Sequence, residues 1–426
     1  MENIETIHLP NGLTIICESI SHIQSVLVAV WTRRGSRHES RELHGMAHFL
    51  EHMLFKGTKR RSPLDIAESL EVVGGEMNAF TSRENCCYYA KAISEHDELI
   101  FDVLSDLIFC SQFEPDEMER EKKVIFQEID SYEDSPEELV HDLIVKQMYG
   151  RALGHPVIGD KIKVRSFTRE QTLEFHRAMC QPSQMFMTVV GNIKASRVQE
   201  LGSRYFSHDP GFHSSIQLNQ SKETKKHGIL CRVKPVEQCH LNLGWHAYSM
   251  VHKDRYILHL ISSWLGGGMS SILFQKIREQ LGLAYNIYSY VRAYQDTGTI
   301  GIYSAHHESS TNPVLEQVWE TLDHLKASGI DAHKLLQLKN QLKGSLLLGL
   351  ERTSFRMNRI AVGHLYFQKI FTAEELIDMV NAVENDDIIR VAQHIFSKPP
   401  TMIQVGPMPE SEFENRIRMT RLFNEN

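Results

Sequence analysis

The alternation of apolar and polar positions predicts that helices and paired strands follow one another in a fixed order. A helix-like run, with apolar residues three and four apart, covers Ser62–Val73 and ends at Gly74-Gly75. Two strand-like runs follow, Met77–Thr81 and Cys86–Ile93, and another helical run covers His96–Phe109. This succession of helix, hairpin and helix is typical of an α+β domain.

The second half of the chain repeats this order. The helical run Ser271–Gln280 precedes the strand-like runs Ala284–Tyr290 and Thr299–Ser304, and the helical run Asn312–Ala327 follows them. Each half also closes with a helix and then a strand that ends in glycine: Thr168–Cys180 with Met185–Val190 and Gly191, and Glu384–Ile395 with Met402–Val405 and Gly406. A repeat of roughly 200 residues indicates a duplicated domain, because solenoid repeats are about 20–50 residues long.

A polar stretch, Asn219–His227, separates the two halves. Its composition cannot build a core, so we predict that it is a linker. The predicted domains are therefore an N-terminal domain over 1–218 and a C-terminal domain over 228–426, joined by 219–227. Each is expected to be an α+β domain, with a mainly antiparallel sheet and helices covering one of its faces.

Composition and charge exclude several classes of protein. Hydrophobic residues make up 42% and charged residues 23%, as in ordinary globular chains. No apolar run is long enough to cross a membrane, and the net charge of −8 disfavours nucleic acid as a partner. The first residues resemble neither a secretory signal nor a mitochondrial presequence. The seven cysteines show no metal-ligand spacing, so we expect reduced thiols in a cytoplasmic protein.

The string His48-Phe49-Leu50-Glu51-His52 carries the clearest chemical signal. Two imidazoles four residues apart on a helix share one face, so both can hold the same metal ion. The carboxylate of Glu51, one turn from His48, can reach a water molecule at that ion. The order H-x-x-E-H reverses the commoner zinc-protease order H-E-x-x-H, and it indicates a zinc peptidase.

A catalytic zinc site usually takes three protein ligands, so a third must come from elsewhere in the chain. The segment Asp116–Ser131 has the pattern of an amphipathic helix and is rich in glutamate. Glu121 and Glu128 are seven residues apart and share a face of this helix. Spacing alone does not choose between them.

The run from His48 to Thr58 resembles the signature of the pitrilysin-type, or inverzincin, zinc peptidases. Within that family the chain is similar to the β-subunit of the mitochondrial processing peptidase and to its short bacterial homologues. The similarity extends over nearly the whole chain and includes three further motifs: Gly74-Gly75, Asn78-Ala79-Phe80-Thr81 and Gly154-His155-Pro156.

The resemblance implies roles for the acidic residues. A glutamate about 76 residues beyond His52, which is Glu128, would complete a site for one Zn²⁺ per chain with His48 and His52. Glu51 would act as the general base. Glu121 would orient the ligands from outside, although a plain surface charge is the alternative.

The resemblance also implies how a peptide is held. Asn78, Ala79, Phe80 and Thr81 would lie on an edge strand that pairs with the substrate, although an ordinary strand of the sheet is the alternative. Glu138 and Asp142, four apart on a helix, would bind an arginine beside the cleaved bond, or would simply face solvent.

In the second half, Arg278 and Tyr285 match a family pair that would hydrogen-bond the carbonyl of the cleaved bond. The alternative is a surface charge and a packed aromatic ring. In short family members this pair reaches the zinc of another subunit, which implies a homodimer with a closed chamber. The glycine-rich Gly266–Gly268 has no Gly-Lys-Ser/Thr ending, so a phosphate loop is disfavoured.

The sequence therefore predicts a zinc metalloendopeptidase that hydrolyses extended or unfolded peptides, with a preference for sites near basic residues. The alternatives are a catalytically inactive subunit that serves in assembly, a subunit that needs a different partner chain, and a module that binds peptides without cutting them. Retention of the H-x-x-E-H residues and of Glu128 favours the enzyme.

Overall fold

The strands of the protein form two sheets in the computed structural model, which describes residues 3–150, 152–207, 211 and 226–418. The strands of the first sheet are β1 (Ile4–His8), β2 (Thr14–Ser19), β3 (Ser25–Thr32), β4 (Glu76–Thr81), β5 (Cys86–Ile93) and β6 (Met185–Gly191). Those of the second are β7 (Ile229–Val233), β8 (Cys239–Ala247), β9 (Ala284–Ala293), β10 (Gly298–His306) and β11 (Thr401–Gly406).

Helices connect and cover these strands. Those of the first half are α1 (Met46–Leu54), α2 (Pro63–Glu71), α3 (Asp97–Cys110), α4 (Pro115–Asp134), α5 (Pro136–Met148), α6 (Lys161–Ser166), α7 (Arg169–Met179) and α8 (Ala195–Phe206). Those of the second half are α9 (Arg255–Gly266), α10 (Thr311–Ser328), α11 (Ala332–Gly349), α12 (Thr353–Val362), α13 (Ala373–Asn381), α14 (Asn385–Phe396) and α15 (Glu410–Arg418).

The two sheets have matching strand orders. The first runs β1-β2-β6-β3-β5-β4, and the second runs β7-β11-β8-β10-β9. In both sheets one pair is parallel, β2 with β6 and β11 with β7, and the remaining pairs are antiparallel. The predicted α+β class, with two mainly antiparallel sheets and a repeated topology, is confirmed.

The chain divides into two compact units, and each contains one segment from the other half of the sequence. Unit 1 comprises Met1–Asp130, His155–Ser221 and Leu348–Thr372. Unit 2 comprises Ser131–Gly154, Lys222–Leu347 and Ala373–Asn426. The structure thus departs from the predicted division into two continuous halves. Residues 219–225 of the predicted linker lie outside the described residues.

Helices cover both faces of each sheet, whereas the sequence predicted helices on one face. In unit 1 the side chains of Val26, Val28 and Val30 on β3 pack toward a core that includes α1, α3 and α7. Leu27 and Trp31 point the other way and pack against α12. In unit 2, α5 packs on one face of the sheet, and α9, α10 and α14 pack on the other. The cause is that strands with two apolar faces need cover on both.

Three smaller findings complete the fold. The run Ser271–Gln280 is helical as predicted, but Phe274–Gln280 winds as a π-helix, and the N–H of Leu281 bonds the carbonyl of Lys276 five residues earlier. None of the seven cysteines forms a disulfide. Among the described residues, no helix combines the length and apolar character needed to cross a membrane.

Candidate metal centre

The polar residues of helix α1 share one face because its apolar residues occupy the other. Met46, Phe49, Leu50 and Met53 are buried in the unit 1 core. At 3.6 residues per turn, the positions between them point away from that core. These positions hold His48, Glu51 and His52, which therefore lie together on the outer face of α1.

A buried carboxylate holds the backbone at the start of α1. Gly45 precedes the helix with a φ of 94°, a left-handed conformation that glycine adopts without strain. Glu39 accepts the N–H of Gly45 at 2.8 Å and that of Ala47 at 2.7 Å, which satisfies two donors that the first turn leaves free. A Cβ on Gly45 would lie 2.7 Å from the Cα of Gly159, whose φ is 78°, so these segments meet backbone to backbone.

Glu128 on α4 faces both histidines of α1. Its Oε2 lies 3.7 Å from Nε2 of His48 and 3.7 Å from Nε2 of His52. One ligand atom from each of the three residues lies within 4.8 Å of the others, and no other such group of His, Cys, Asp or Glu occurs in the described part of the chain. The structure thus brings together the three residues that the sequence predicted as ligands.

The surroundings keep His48 uncharged and make Glu51 and Glu128 more basic. Burial, helped by the neighbouring His52, lowers the pKa of His48 to about 4. A neutral imidazole is the form that binds metal. Burial raises the pKa of Glu51 and of Glu128 above the ordinary glutamate value, although His52 opposes the shift at both.

Glu121 lies behind the histidines and contacts one of them. Its Oε1 is 2.8 Å from Nδ1 of His52, and its Oε2 is 2.7 Å from Nζ of Lys56. Burial alone would raise the pKa of Glu121, but the hydrogen bonds from His52 and Lys56 outweigh it, so the pKa lies below the ordinary value. An ionised Glu121 can only accept a hydrogen bond, so Nδ1 of His52 carries the hydrogen and Nε2 keeps a free lone pair.

This donor set fits zinc. Two imidazole nitrogens and one carboxylate oxygen form an established catalytic combination, and the ligand atoms of one tetrahedral zinc lie about 3.4 Å apart. The 3.7 Å separations are close to that value. When ionised, the carboxylates of Glu51, Glu121 and Glu128 together with Lys56 leave two negative charges, which a divalent cation would neutralise.

Glu51 is held from the side by β4. The hydroxyl of Thr81, the last residue of β4, donates to Oε2 of Glu51 at 2.5 Å. β4 is the outermost strand of its sheet, as the predicted peptide-binding strand requires. The N–H of Ala79 donates to Oδ1 of Asn78 at 2.8 Å, and the Phe80 ring packs edge-on against Trp31.

The remaining predicted residues belong to unit 2. The guanidinium of Arg278 lies 5.7 Å from the centre of the Tyr285 ring, so the structure brings this pair together. Tyr285 is 72% exposed and is not the packed aromatic that the alternative required. Glu138 is exposed on α5, and Asp142 is partly exposed one turn later.

Sequence reasoning did not assign a role to Lys56 or Glu39, or a side-chain role to Thr81. Lys56 and Thr81 lie inside motifs that the sequence did identify, and Lys56 follows the end of α1 by two residues. Glu39 carried no comparable signal, because it lies outside the motifs and two of its partners are backbone N–H groups at the start of α1.

Comparisons with known proteins agree with this geometry. The family model described as insulinase (peptidase family M16) matches residues 14–161, and the model described as the peptidase M16 inactive domain matches residues 166–342. The uncharacterized zinc protease YmxG of Bacillus subtilis is 38% identical over 93% of this chain and 97% of its own length. An uncharacterized zinc protease of Streptomyces coelicolor is 33% identical over 95% of this chain and 90% of its own.

Solved structures share the fold. A protease from Helicobacter pylori superposes with a TM-score of 0.88 at 22% identity, covering 96% of this chain and all of that one. A structure from Pseudomonas fluorescens, described as a peptidase M16 inactive domain, superposes with a TM-score of 0.86 at 18% identity, covering 96% and 99%. With two family models matched in sequence and relatives above 30% identity along nearly its full length, the chain belongs to the M16, or pitrilysin, family of peptidases.

Proposed function

We propose that this protein is a zinc-dependent endopeptidase that hydrolyses extended or unfolded peptides. The observation that carries the proposal is the convergence of His48, His52 and Glu128 beside the partly buried Glu51. Membership of the M16 family and the naming of its relatives as zinc proteases support it.

The three ligands would hold one Zn²⁺ per chain. When bound, zinc acts as a Lewis acid and lowers the pKa of a coordinated water toward ~7. Glu51 is not one of the three ligands, and its carboxylate accepts a proton from the attacking water. It then delivers that proton to the leaving amine nitrogen as the C–N bond breaks. Glu121 keeps His52 in the tautomer that leaves Nε2 free.

β4 would bind the substrate by strand addition. It is an edge strand, and it ends at the residue that contacts Glu51. A peptide that takes the N–H of Ala79 would displace the Oδ1 of Asn78, which now accepts that donor. The register of the peptide would then be set by backbone hydrogen bonds along Asn78–Thr81, whereas the side chain of Phe80 stays against Trp31.

Arg278 and Tyr285 would stabilise the negative charge that develops on the carbonyl oxygen of the cleaved bond. Their proximity within unit 2 and the exposure of Tyr285 support this role. By resemblance to short family members, each pair would serve the zinc of a second subunit, so the working enzyme would be a homodimer that encloses a chamber.

Glu138 and Asp142 would give a preference for a basic residue near the cut. Two carboxylates one turn apart can accept the paired donors of a guanidinium, and neither is deeply buried. Cuts in a mixed peptide library, mapped by mass spectrometry, measure this preference. We expect the double variant Glu138→Gln/Asp142→Asn to lose it, and an unchanged preference would contradict the assignment.

The central test separates the base from the ligands. We expect Glu51→Gln to bind zinc like the wild type but to lose cleavage of a quenched fluorescent peptide, because only the proton acceptor is removed. His52→Ala should lose both zinc and activity. Metal content of the purified proteins and cleavage with and without a chelator are the measurements. Full activity of Glu51→Gln would remove the proposed base, and wild-type cleavage unaffected by chelator would reject a zinc peptidase.

A further inference from the structure

The closest contact of Glu51 comes from the strand beside its helix. Thr81 donates its hydroxyl to Oε2 of Glu51 at 2.5 Å, whereas the alternative acceptor for that hydroxyl, the carbonyl of Ala47, is 3.5 Å away. Oε1 of Glu51 has no hydrogen-bond partner among the described residues. One carboxylate oxygen is thus engaged by the protein, and the other is left for a water molecule.

The side chains near this contact offer Glu51 no second hydrogen-bond donor among the described residues. Cys86 lies directly opposite Thr81 on β5, and its thiol is buried. Burial raises the pKa of that thiol to about 12, so it stays protonated. Among the described residues, no cation forms an ion pair with Glu51, and the Thr81 hydroxyl is the only side-chain donor to it.

A free glutamate side chain on a helix surface samples several rotamers, and ordering it costs conformational entropy. The Thr81 hydroxyl selects one of them. A charge-assisted bond of this length is stronger than one between neutral groups. Since misplacing a catalytic group by about 1 Å can cost 10²-fold in rate, a single hydroxyl at this position can control the base.

We propose that Thr81 is a positioning residue for Glu51: its hydroxyl fixes the carboxylate so that Oε1 faces the attacking water. This rests on the proposed function of Glu51 as the base. The side chain of Thr81 then has a role separate from that of its backbone, which lies on the strand proposed to bind the peptide. The backbone of Thr81 would thereby help to set the register of the peptide, while its side chain sets the position of Glu51.

The test is replacement of the hydroxyl alone. Thr81→Val keeps the branched shape of the side chain, which suits a strand, and removes the donor, whereas Thr81→Ser keeps the donor. We expect Thr81→Val to lose about 10-fold or more in kcat with little change in KM, because the contact orients the base and does not bind substrate. Thr81→Ser should recover most of the loss. Zinc affinity should match the wild type in both variants.

Thr6→Val is the matched control, since Thr6 is exposed on β1, and it should behave as wild type. Crystal structures of the two Thr81 variants give a readout independent of activity: Glu51 should leave its position in Thr81→Val and keep it in Thr81→Ser. Retained kcat in Thr81→Val, or an unmoved Glu51, would overturn the inference while leaving the proposed function intact. Wild-type protein without chelator-sensitive cleavage would reject the proposed function, and the position of Glu51 would still decide the role of Thr81.

Discussion

At the scale of single residues, Glu121 supports the metal centre from behind. It contacts His52 with one oxygen and Lys56 with the other. His48 has no equivalent support, since its Nδ1 is buried without a hydrogen-bond partner among the described residues. Of the two histidines, His52 is therefore the one that a side-chain hydrogen bond orients among the described residues.

We predict that Glu121→Gln weakens zinc binding about 10–100-fold, the usual effect of removing the outer partner of a ligating histidine. The neutral amide no longer forces Nδ1–H on His52, and it leaves Lys56 without its anion. Competition with a chelator of known affinity measures the change. Glu71→Gln, an exposed glutamate on α2, is the control. Equal zinc affinity in the Glu121 and Glu71 variants would mean that Glu121 does not support the metal ligands.

Sequence patterns predicted the chemistry of this centre better than its supports. His48, Glu51 and His52 have a spacing that only a helix makes meaningful, and the family resemblance selected Glu128 over Glu121. The contacts of Lys56 and Thr81 remained hidden because they depend on side-chain direction across elements that are distant in sequence. The contact made by His155 of the motif Gly154-His155-Pro156 was hidden for the same reason: its Nε2 lies 3.2 Å from Oε2 of Glu39, which is distant in sequence.

At the scale of elements, a charged network ties the loop after α1 to α3. Asp106 on α3 has a fully buried side chain and accepts hydrogen bonds from Thr58, Arg60 and Arg61. Burial alone would raise the pKa of Asp106, but these donors outweigh it and hold the pKa below the ordinary aspartate value of 3.8. A depressed carboxyl pKa adds stability at pH values above 3.8, and this is lost as pH falls through the folded-state value.

We predict that Asp106→Asn lowers the free energy of unfolding by about 2 kcal/mol at neutral pH, because hydrogen bonds to a charged group are lost. The difference from wild type should begin to shrink below pH ~3.8, where the carboxyl of the unfolded wild-type chain takes up a proton, and should vanish once pH falls below the lower folded-state pKa. Urea titrations between pH 3 and pH 7 measure it. Asp116→Asn, at an exposed position on α4, should change stability by less than about 0.5 kcal/mol. A pH-independent difference would contradict the assigned cause.

Elements were predictable where periodicity was strong. α2, β4, β5 and α3 lie within a few residues of the runs read from the sequence. The π-helical winding of Phe274–Gln280 was not predictable, because over so short a segment an α-helix and a π-helix have the same spacing of apolar residues. On α4, Met118 and Ile125 are buried, whereas the neighbouring apolar residue Val124 is 46% exposed.

At the scale of the whole molecule, the proposed homodimer makes a quantitative prediction. If each zinc works with Arg278 and Tyr285 of the other subunit, a His52→Ala chain and an Arg278→Ala chain complement each other. Half of the dimers in an equal mixture would be mixed, and each would hold one intact site of two, so about a quarter of wild-type activity should return. Peptide cleavage after subunit exchange measures this.

Each variant incubated alone is the control, and it should stay inactive. Recovery well below a quarter, with mixed dimers verified by mass spectrometry, would mean that the sites do not combine residues from two chains. Wild-type protein that is active as a monomer would have the same consequence.

The domain division was the least predictable feature. The sequence shows two similar halves, yet α12 belongs to unit 1 and α5 to unit 2. A linear reading places each helix with its neighbours in sequence, and only the need to cover a second sheet face assigns it elsewhere. The continuous apolar run Ser25–Trp31 on β3 contained that signal, since a strand with one solvent-exposed face would alternate.

The meeting of Gly45 and Gly159 has a consequence for evolution and engineering. Even a methyl group on either backbone would force the two segments apart, and one of them leads directly into α1. A library randomised at both positions and selected for cleavage should therefore return glycine at each. Two residues without any functional group would be as intolerant of exchange as the histidines they precede or follow.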